Sequence, residues 1–271
     1  MLHPKLRNET TMNTPKNTWL SYLLPTRAGI PVLMYHRVEE VSTNSLTVAT
    51  RDFEAQLQYL KSAGYASISI TQFLAQITEG LAREKLPKKP VLITFDDGYA
   101  CTLKTAAPLL EKHNFKAALF VTSEFIERGS EANPHYLTKT ELAEFAGRGH
   151  ELALHSHAHP NYQSTSLPEI LKDLKLNQQW LAKQNVPHVP ALAYPFGARP
   201  KDKSDQSRLK SDLKAMGIQA AFRIGNRVAS WSLLQNPNLD AYDLPRIDIR
   251  GDDTLQTFQI KIQKGRIRPF Q

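Results

Sequence analysis

A single cysteine, Cys101, serves 271 residues, which excludes an internal disulfide and leaves the redox compartment undecided. The clustered metal-ligand candidates are histidine and aspartate, so no thiolate zinc site is implied. No stretch approaches the roughly 20 apolar residues of a membrane span. The longest apolar run near the start, Trp19-Leu20-Ser21-Tyr22-Leu23-Leu24, falls short of the roughly 7–15 residues of an export signal. The chain is therefore expected in the cytoplasm, at the inner membrane surface if that run touches lipid. A run packed on the domain is the simpler reading, and an exported form whose signal was removed is the alternative. No dense Lys/Arg stripe with interleaved aromatics is present, so nucleic acid is not an expected partner. Internal repeats, low-complexity tracts and linkers are absent too, and no histidine follows His188.

What is present fits one globular unit. Hydrophobic content of 41% is enough for a sizeable core, with disorder expected only at the ends. The net charge of +8 favours anionic surfaces or serves solubility. Residues 1–29 read as an N-terminal extension and 30–271 as the functional domain. Strand-like and helix-like stretches alternate through it. Expected strands are Ile30–Tyr35, Ala66–Ile70, Pro90–Phe95, Lys116–Thr122, Glu151–His155, Ala191–Tyr194, Gln219–Arg223 and Leu244–Ile249. Between them, Thr50 caps a helix through Phe53, Leu57 and Leu60, and a short helix stops at Gly80. Further helices are expected near Ala100–His113, Thr138–Ala146, Pro168–Gln184 and Ser204–Met216, with one more at the end. This order predicts an α/β fold, an irregular parallel (β/α)7-8 barrel, with an open doubly wound sheet as the alternative.

Two clusters follow apolar strands. Thr94-Phe95-Asp96-Asp97-Gly98 follows Val91-Leu92-Ile93, and His155-Ser156-His157-Ala158-His159-Pro160 follows Leu152-Ala153-Leu154. Asp-Gly is ordinary turn material. Two adjacent strand-end carboxylates, however, repel unless a cation or proton neutralises one. His155 and His159 with an aspartate would make a three-ligand site with positions open for water and substrate. His157 is read as exposed or as a supporting donor. In a barrel, strand ends converge on one face, which adds His36, Pro195-Phe196-Gly197 and Arg246. His36 could be a partly buried histidine or a general acid. The Pro195-Phe196-Gly197 turn could donate backbone N–H groups to an oxyanion. Arg246 could be a surface charge or could orient a carboxylate.

These residues together resemble the polysaccharide deacetylases of the NodB-homology type, carbohydrate esterase family 4. Thr94–Gly98 is similar to the first family motif, His155-Ser156-x-x-His159-Pro160 to the second, and Tyr194-Pro195-Phe196-Gly197 to the third. The resemblance implies Asp96 as base and Asp97, His155 and His159 as ligands of a divalent metal, zinc first, with nickel, cobalt or iron admitted. It implies the Phe196 N–H as an oxyanion donor and Tyr194, Pro195 and Gly197 as substrate-binding neighbours. Two departures stand out. Ala193 occupies the place of the third motif's usual arginine, and the C-terminal Leu-x-His motif is missing. Pro31-Val32-Leu33-Met34-Tyr35-His36-Arg37 resembles a subgroup, including biofilm poly-N-acetylglucosamine deacetylases, whose acid histidine lies on the N-terminal strand. That carries the acid onto His36, with Arg246 as the substitute for the missing arginine.

The reaction so implied is removal of N-acetyl groups from amino sugars of a cell-envelope glycan or its precursor. The missing export signal and the positive charge favour a lipid-linked or phosphate-bearing glycolipid, such as a lipopolysaccharide or capsule intermediate, over an extracellular polymer. The rivals are a metal hydrolase of another amide or ester and a sugar-binding pseudoenzyme on the same fold.

Overall fold

The computed structural model describes residues 27–78, 83–129 and 135–266. Its centre is a ring of seven parallel strands: β1 (Val32–Tyr35), β2 (Pro90–Asp97), β3 (Ala118–Thr122), β4 (Glu151–Ser156), β5 (Val189–Ala193), β6 (Ala220–Ile224) and β7 (Leu244–Asp248). Each pairs with the next in chain order. β7 also pairs with β1, Ile247 opposite Leu33, which closes the ring. Closure excludes the open doubly wound sheet.

Side-chain alternation divides the strand residues between two apolar clusters. Leu33, Tyr35, Ile93, Leu119, Val121 and Leu154 face the surrounding helices. Val32, Leu92, Phe120, Phe222 and Leu244 belong to the inner cluster, with Ala118, Ala153, Ala191, Ala193 and Ala220. The alanines leave room inside a narrow seven-strand ring for the Phe120 and Phe222 rings, whose centroids lie 5.8 Å apart. Helix α2 is laid against this inner cluster through Ile70, Phe73 and Leu74, and Phe73 reaches Phe222 at 5.5 Å.

The outer layer comprises α1 (Thr50–Ser62), α2 (Ile70–Thr78), α3 (Ala107–Lys112), α4 (Lys139–Gly147), α5 (Leu167–Lys183), α6 (Lys203–Ala215) and α7 (Leu255–Lys264). Capping boxes start α4, through Thr138 and Glu141, and α5, through Ser166 and Glu169.

Several expectations change. The second expected strand shrinks to Ala66–Ser67, which lies off the ring against Pro90 and Val91. Those two positions precede the ladders of β2 with β1 and β3, which begin at Leu92 and Thr94, and so are free to pair. Thr50 is the first helical residue rather than the cap, which falls on Ala49 without a side-chain hydrogen bond. The helix after β2 opens with a π-turn, Thr102–Ala106. The short helices Ser123–Arg128 and Trp231–Leu234 were not foreseen. Part of the expected extension belongs to the body, since Gly29–Ile30 pairs with Ala229–Ser230 and the Arg27 N–H donates to Gln263 O at 3.0 Å. The Trp19–Leu24 run and Gly80 lie outside the described residues.

Candidate active site

The C-terminal ends of the strands surround a cavity of about 200 Å3. Asp96 and Asp97 reach it from β2, His155 from β4, His159 from the following loop, and Arg246 and Asp248 from β7. His36, just after β1, and Phe196 with Gly197, after β5, complete the convergence.

Neighbouring residues of a strand point to opposite faces, yet Asp96 and Asp97 both line the cavity. The backbone explains this. Asp97 has φ +78°, and the Gly98 N–H donates to Asp96 O at 3.1 Å, so Asp97 centres a three-residue γ-turn that swings its carboxylate inward. His159 and Phe196 share the left-handed region, both at φ +57°, and besides Asp97 the other described non-glycine residues there are asparagines. Asparagine tolerates that region. His159 and Phe196, which adopt it less readily, both lie at the cavity, the distribution expected of strain stored at a functional site.

Asp97, His155 and His159 each bring a donor atom within 4.8 Å of the others. Asp97 Oδ1 lies 3.4 Å from His155 Nε2 and 3.3 Å from His159 Nε2, is buried, and has no hydrogen-bond partner. A buried carboxylate oxygen left so is costly. A tetrahedral cation with bonds of about 2.0–2.1 Å separates its ligands by roughly 3.3 Å, so oxygen, nitrogen and nitrogen here fit a divalent ion. His155 Nδ1 donates to Ala193 O at 2.6 Å, which fixes the ring with Nε2 turned toward Asp97. Burial, and then His155 beside it, pushes His159 down to about 4, so its ring is neutral.

Arg246 is fully buried and grips Asp96 with both Nη atoms at 2.6 Å. Its Nη1 also donates to Thr94 Oγ1 at 3.3 Å, and its guanidinium lies 5.1 Å from the Phe120 ring centre. Burial alone would raise the Asp96 carboxyl. Arg246, with His155 and His36, more than offsets this and holds it below the ordinary range. His36 Nδ1 is buried with no hydrogen-bond partner among the described residues.

The Phe196 ring is 59% exposed and packs edge-on to His159 at 4.6 Å. Gly197, at φ +64°, brings its backbone against Ile224, whose N would lie 2.7 Å from an added Cβ. Tyr194 and Pro195 do not join the cavity. Tyr194 points to the outer cluster, packs against Tyr162 at 6.5 Å and donates its hydroxyl to Tyr242 O. Pro195 is buried beneath the turn. Of the three expected substrate contacts Gly197 alone lines the cavity: Tyr194 continues the outward side of the strand's alternation, and Pro195 is buried in the turn. His157 lies off it as well, its Nδ1 2.9 Å from Ser123 Oγ.

Two residues escaped the reading of the sequence. Asp173 on α5 accepts from the His157 N–H at 3.1 Å, the Ala158 N–H at 2.8 Å and the Tyr162 hydroxyl at 3.1 Å, fixing the loop that carries His159. It interrupts the apolar stripe of Leu167, Ile170, Leu174 and Leu181, which was a legible sign of a buried polar role. Asp248 shares the inward register of Arg246 two residues earlier, and that spacing was legible too.

The chain belongs to the polysaccharide deacetylase family, whose model matches residues 83–221. It is 32% identical to the Bacillus subtilis protein YxkH, named for the same family, over 67% of this chain; the aligned stretch spans 61% of that relative. It is 28% identical to the poly-beta-1,6-N-acetyl-D-glucosamine N-deacetylase of Staphylococcus epidermidis, over 76% of this chain and 69% of the relative. Among solved structures, the Streptococcus pyogenes deacetylase PplD in complex with acetate superposes with a TM-score of 0.72 at 24% identity, covering 88% of this chain and all of that one. IcaB from Ammonifex degensii superposes at 0.70 with 22% identity, covering 88% and 99%. At those identities the superpositions establish the shared fold.

Proposed function

We propose that the protein hydrolyses the N-acetyl groups of an amino-sugar glycan, with a β-1,6-linked N-acetylglucosamine polymer as the first substrate to test. The observation that carries this reading is the meeting of an arginine-held carboxylate, an Asp-His-His donor set and a separate histidine on one small cavity. The names of the staphylococcal relatives support a polymer over the lipid-linked precursor favoured on charge.

Asp97, His155 and His159 would hold a divalent ion, zinc first, which when bound polarises the acetamide carbonyl and makes water a better nucleophile at neutral pH. Asp96 takes the water's proton as it attacks. Its two contacts to Arg246 leave lone pairs free for that task, and the guanidinium keeps it ionised beforehand. The Phe196 N–H donates to the oxygen on which negative charge develops, a type of contact worth roughly 3 kcal/mol. His36 gives a proton to the departing amine, which otherwise leaves poorly.

The test is acetate release from N-acetylglucosamine oligomers by zinc-loaded protein, set beside Asp96→Asn, His36→Ala and Asp97→Asn, with metal content measured in each. Release by the wild type, lost in the first two variants with metal retained and in the third with metal lost, is the expected pattern. Full release by His36→Ala would remove the acid assignment. No release from any amino-sugar substrate by metal-loaded wild type would overturn the deacetylase reading.

A further inference from the structure

The mechanism leaves one acid of the cavity unused. Asp248 ends β7 on the inner face, two residues beyond Arg246, and its side chain lines the cavity at 19% exposure. Its position is built. The Asp248 N–H donates to Asn226 Oδ1 at 3.1 Å, and its carbonyl accepts from Lys261 Nζ at 2.8 Å. Lys261 is itself buried and paired with Asp253 at 2.5 Å. The carboxylate, by contrast, accepts no hydrogen bond from the described residues. Its charged neighbour is Arg250, 3.8 Å away, whose Nε donates to Asp252 at 3.0 Å.

The other two acids differ. Asp96 is neutralised by Arg246, and Asp97 lies between two histidines. Burial pushes the Asp248 carboxyl above its ordinary range, with Lys261 and His36 pulling it partly back, in keeping with an acid short of partners. Two exposed apolar side chains flank the same cavity, Leu46 at 41% and Phe196 at 59%. Apolar surfaces beside one fixed acceptor match a pyranose, with C–H faces and hydroxyl edges.

Resting on the deacetylase reading above, we infer that Asp248 determines specificity: its carboxylate accepts a hydrogen bond from a hydroxyl or ammonium of the sugar in the cavity and turns away a ring bearing an anionic substituent. A phosphorylated or carboxylated sugar would place like charge against a half-buried carboxylate, which is repulsive. Neutral N-acetylglucosamine and its cationic deacetylated product are the matching ligands.

The experiment compares wild type, Asp248→Asn and Asp248→Ser, all zinc-loaded, on neutral N-acetylglucosamine oligomers and on oligomers containing N-acetylmuramic acid. Calorimetric binding of glucosamine oligomers is the second arm, with metal content and melting temperature as controls. Expected are a KM on the neutral oligomers raised about tenfold with kcat within about twofold, glucosamine binding weakened about tenfold, and a smaller preference for neutral over anionic substrate. Unchanged KM, binding and preference in variants that retain metal and fold would overturn the inference. If wild type releases no acetate from any oligomer, the deacetylase reading fails, and the calorimetric arm still decides whether Asp248 contacts an amino sugar.

Discussion

Arg246 and Asp96 lie 150 positions apart in the chain and meet through two hydrogen bonds of 2.6 Å inside the barrel. Removing the arginine leaves a buried carboxylate without its hydrogen-bonded ion-pair partner, which costs about 3–5 kcal/mol. Denaturant unfolding of Arg246→Ala should show a loss of that size. Arg246→Lys keeps the charge without the planar fork and should retain more stability than acetate release. Full activity in either variant would separate Arg246 from the chemistry.

Asp173 acts at one remove from the cavity. Its three accepted hydrogen bonds hold the His157–His159 loop, and losing such support typically weakens metal binding about 10–100-fold. Zinc titration of Asp173→Ala against a competing chelator should show this, with Asp173→Asn closer to wild type. Equal zinc affinity in all three proteins would reduce Asp173 to a general stabiliser.

Gly197→Ala tests the strained turn. The new methyl would sit at φ +64° and 2.7 Å from Ile224 N, a combination costing about 1–3 kcal/mol. Because the adjacent Phe196 amide is the proposed oxyanion donor, kcat should fall further than thermal stability does. Unchanged kcat alongside a lowered melting temperature would detach the turn from catalysis.

His150 carries a pH dependence of stability. Its ring stacks on Phe145 at 4.4 Å, and its Nδ1 accepts from the Ala117 N–H at 3.1 Å. Burial, with Lys116 nearby, pushes it down to about 4. An unfolded histidine titrates near 6.5, so between those values the unfolded chain binds a proton that the folded chain does not. The contribution is complete above about pH 6.5 and is lost as pH falls toward 4. Discounted for solvent screening it amounts to about 1–2 kcal/mol. Urea unfolding at pH 7 and pH 4.5 should show the difference. His150→Gln should be less stable at pH 7 yet lose less on acidification.

The strands, most helices and both metal-type clusters were legible because each rests on local pattern. An apolar run marks a buried strand, and the first polar residues after it mark its end. The failures were non-local or conformational. Ala66–Ile70 is apolar enough for a strand, but only two of its residues find a free ladder position. Tyr194 and Pro195 adjoin the cavity in sequence but not in space, because Tyr194 falls on the outward side of the strand's alternation.

The sequence by itself determined which residues stand at strand ends and which of them can carry charge or bind a cation, since residue type and periodicity are properties of neighbours along the chain. It could not determine that Asp96 and Asp97 face the same cavity, because that depends on one γ-turn at positive φ. Nor could it place Arg246 on Asp96, or show that the inward register Arg246 shares with Asp248 opens onto this cavity. Those relationships exist because β1 pairs with both β2 and β7, and closing the ring brings together side chains that are far apart in the chain.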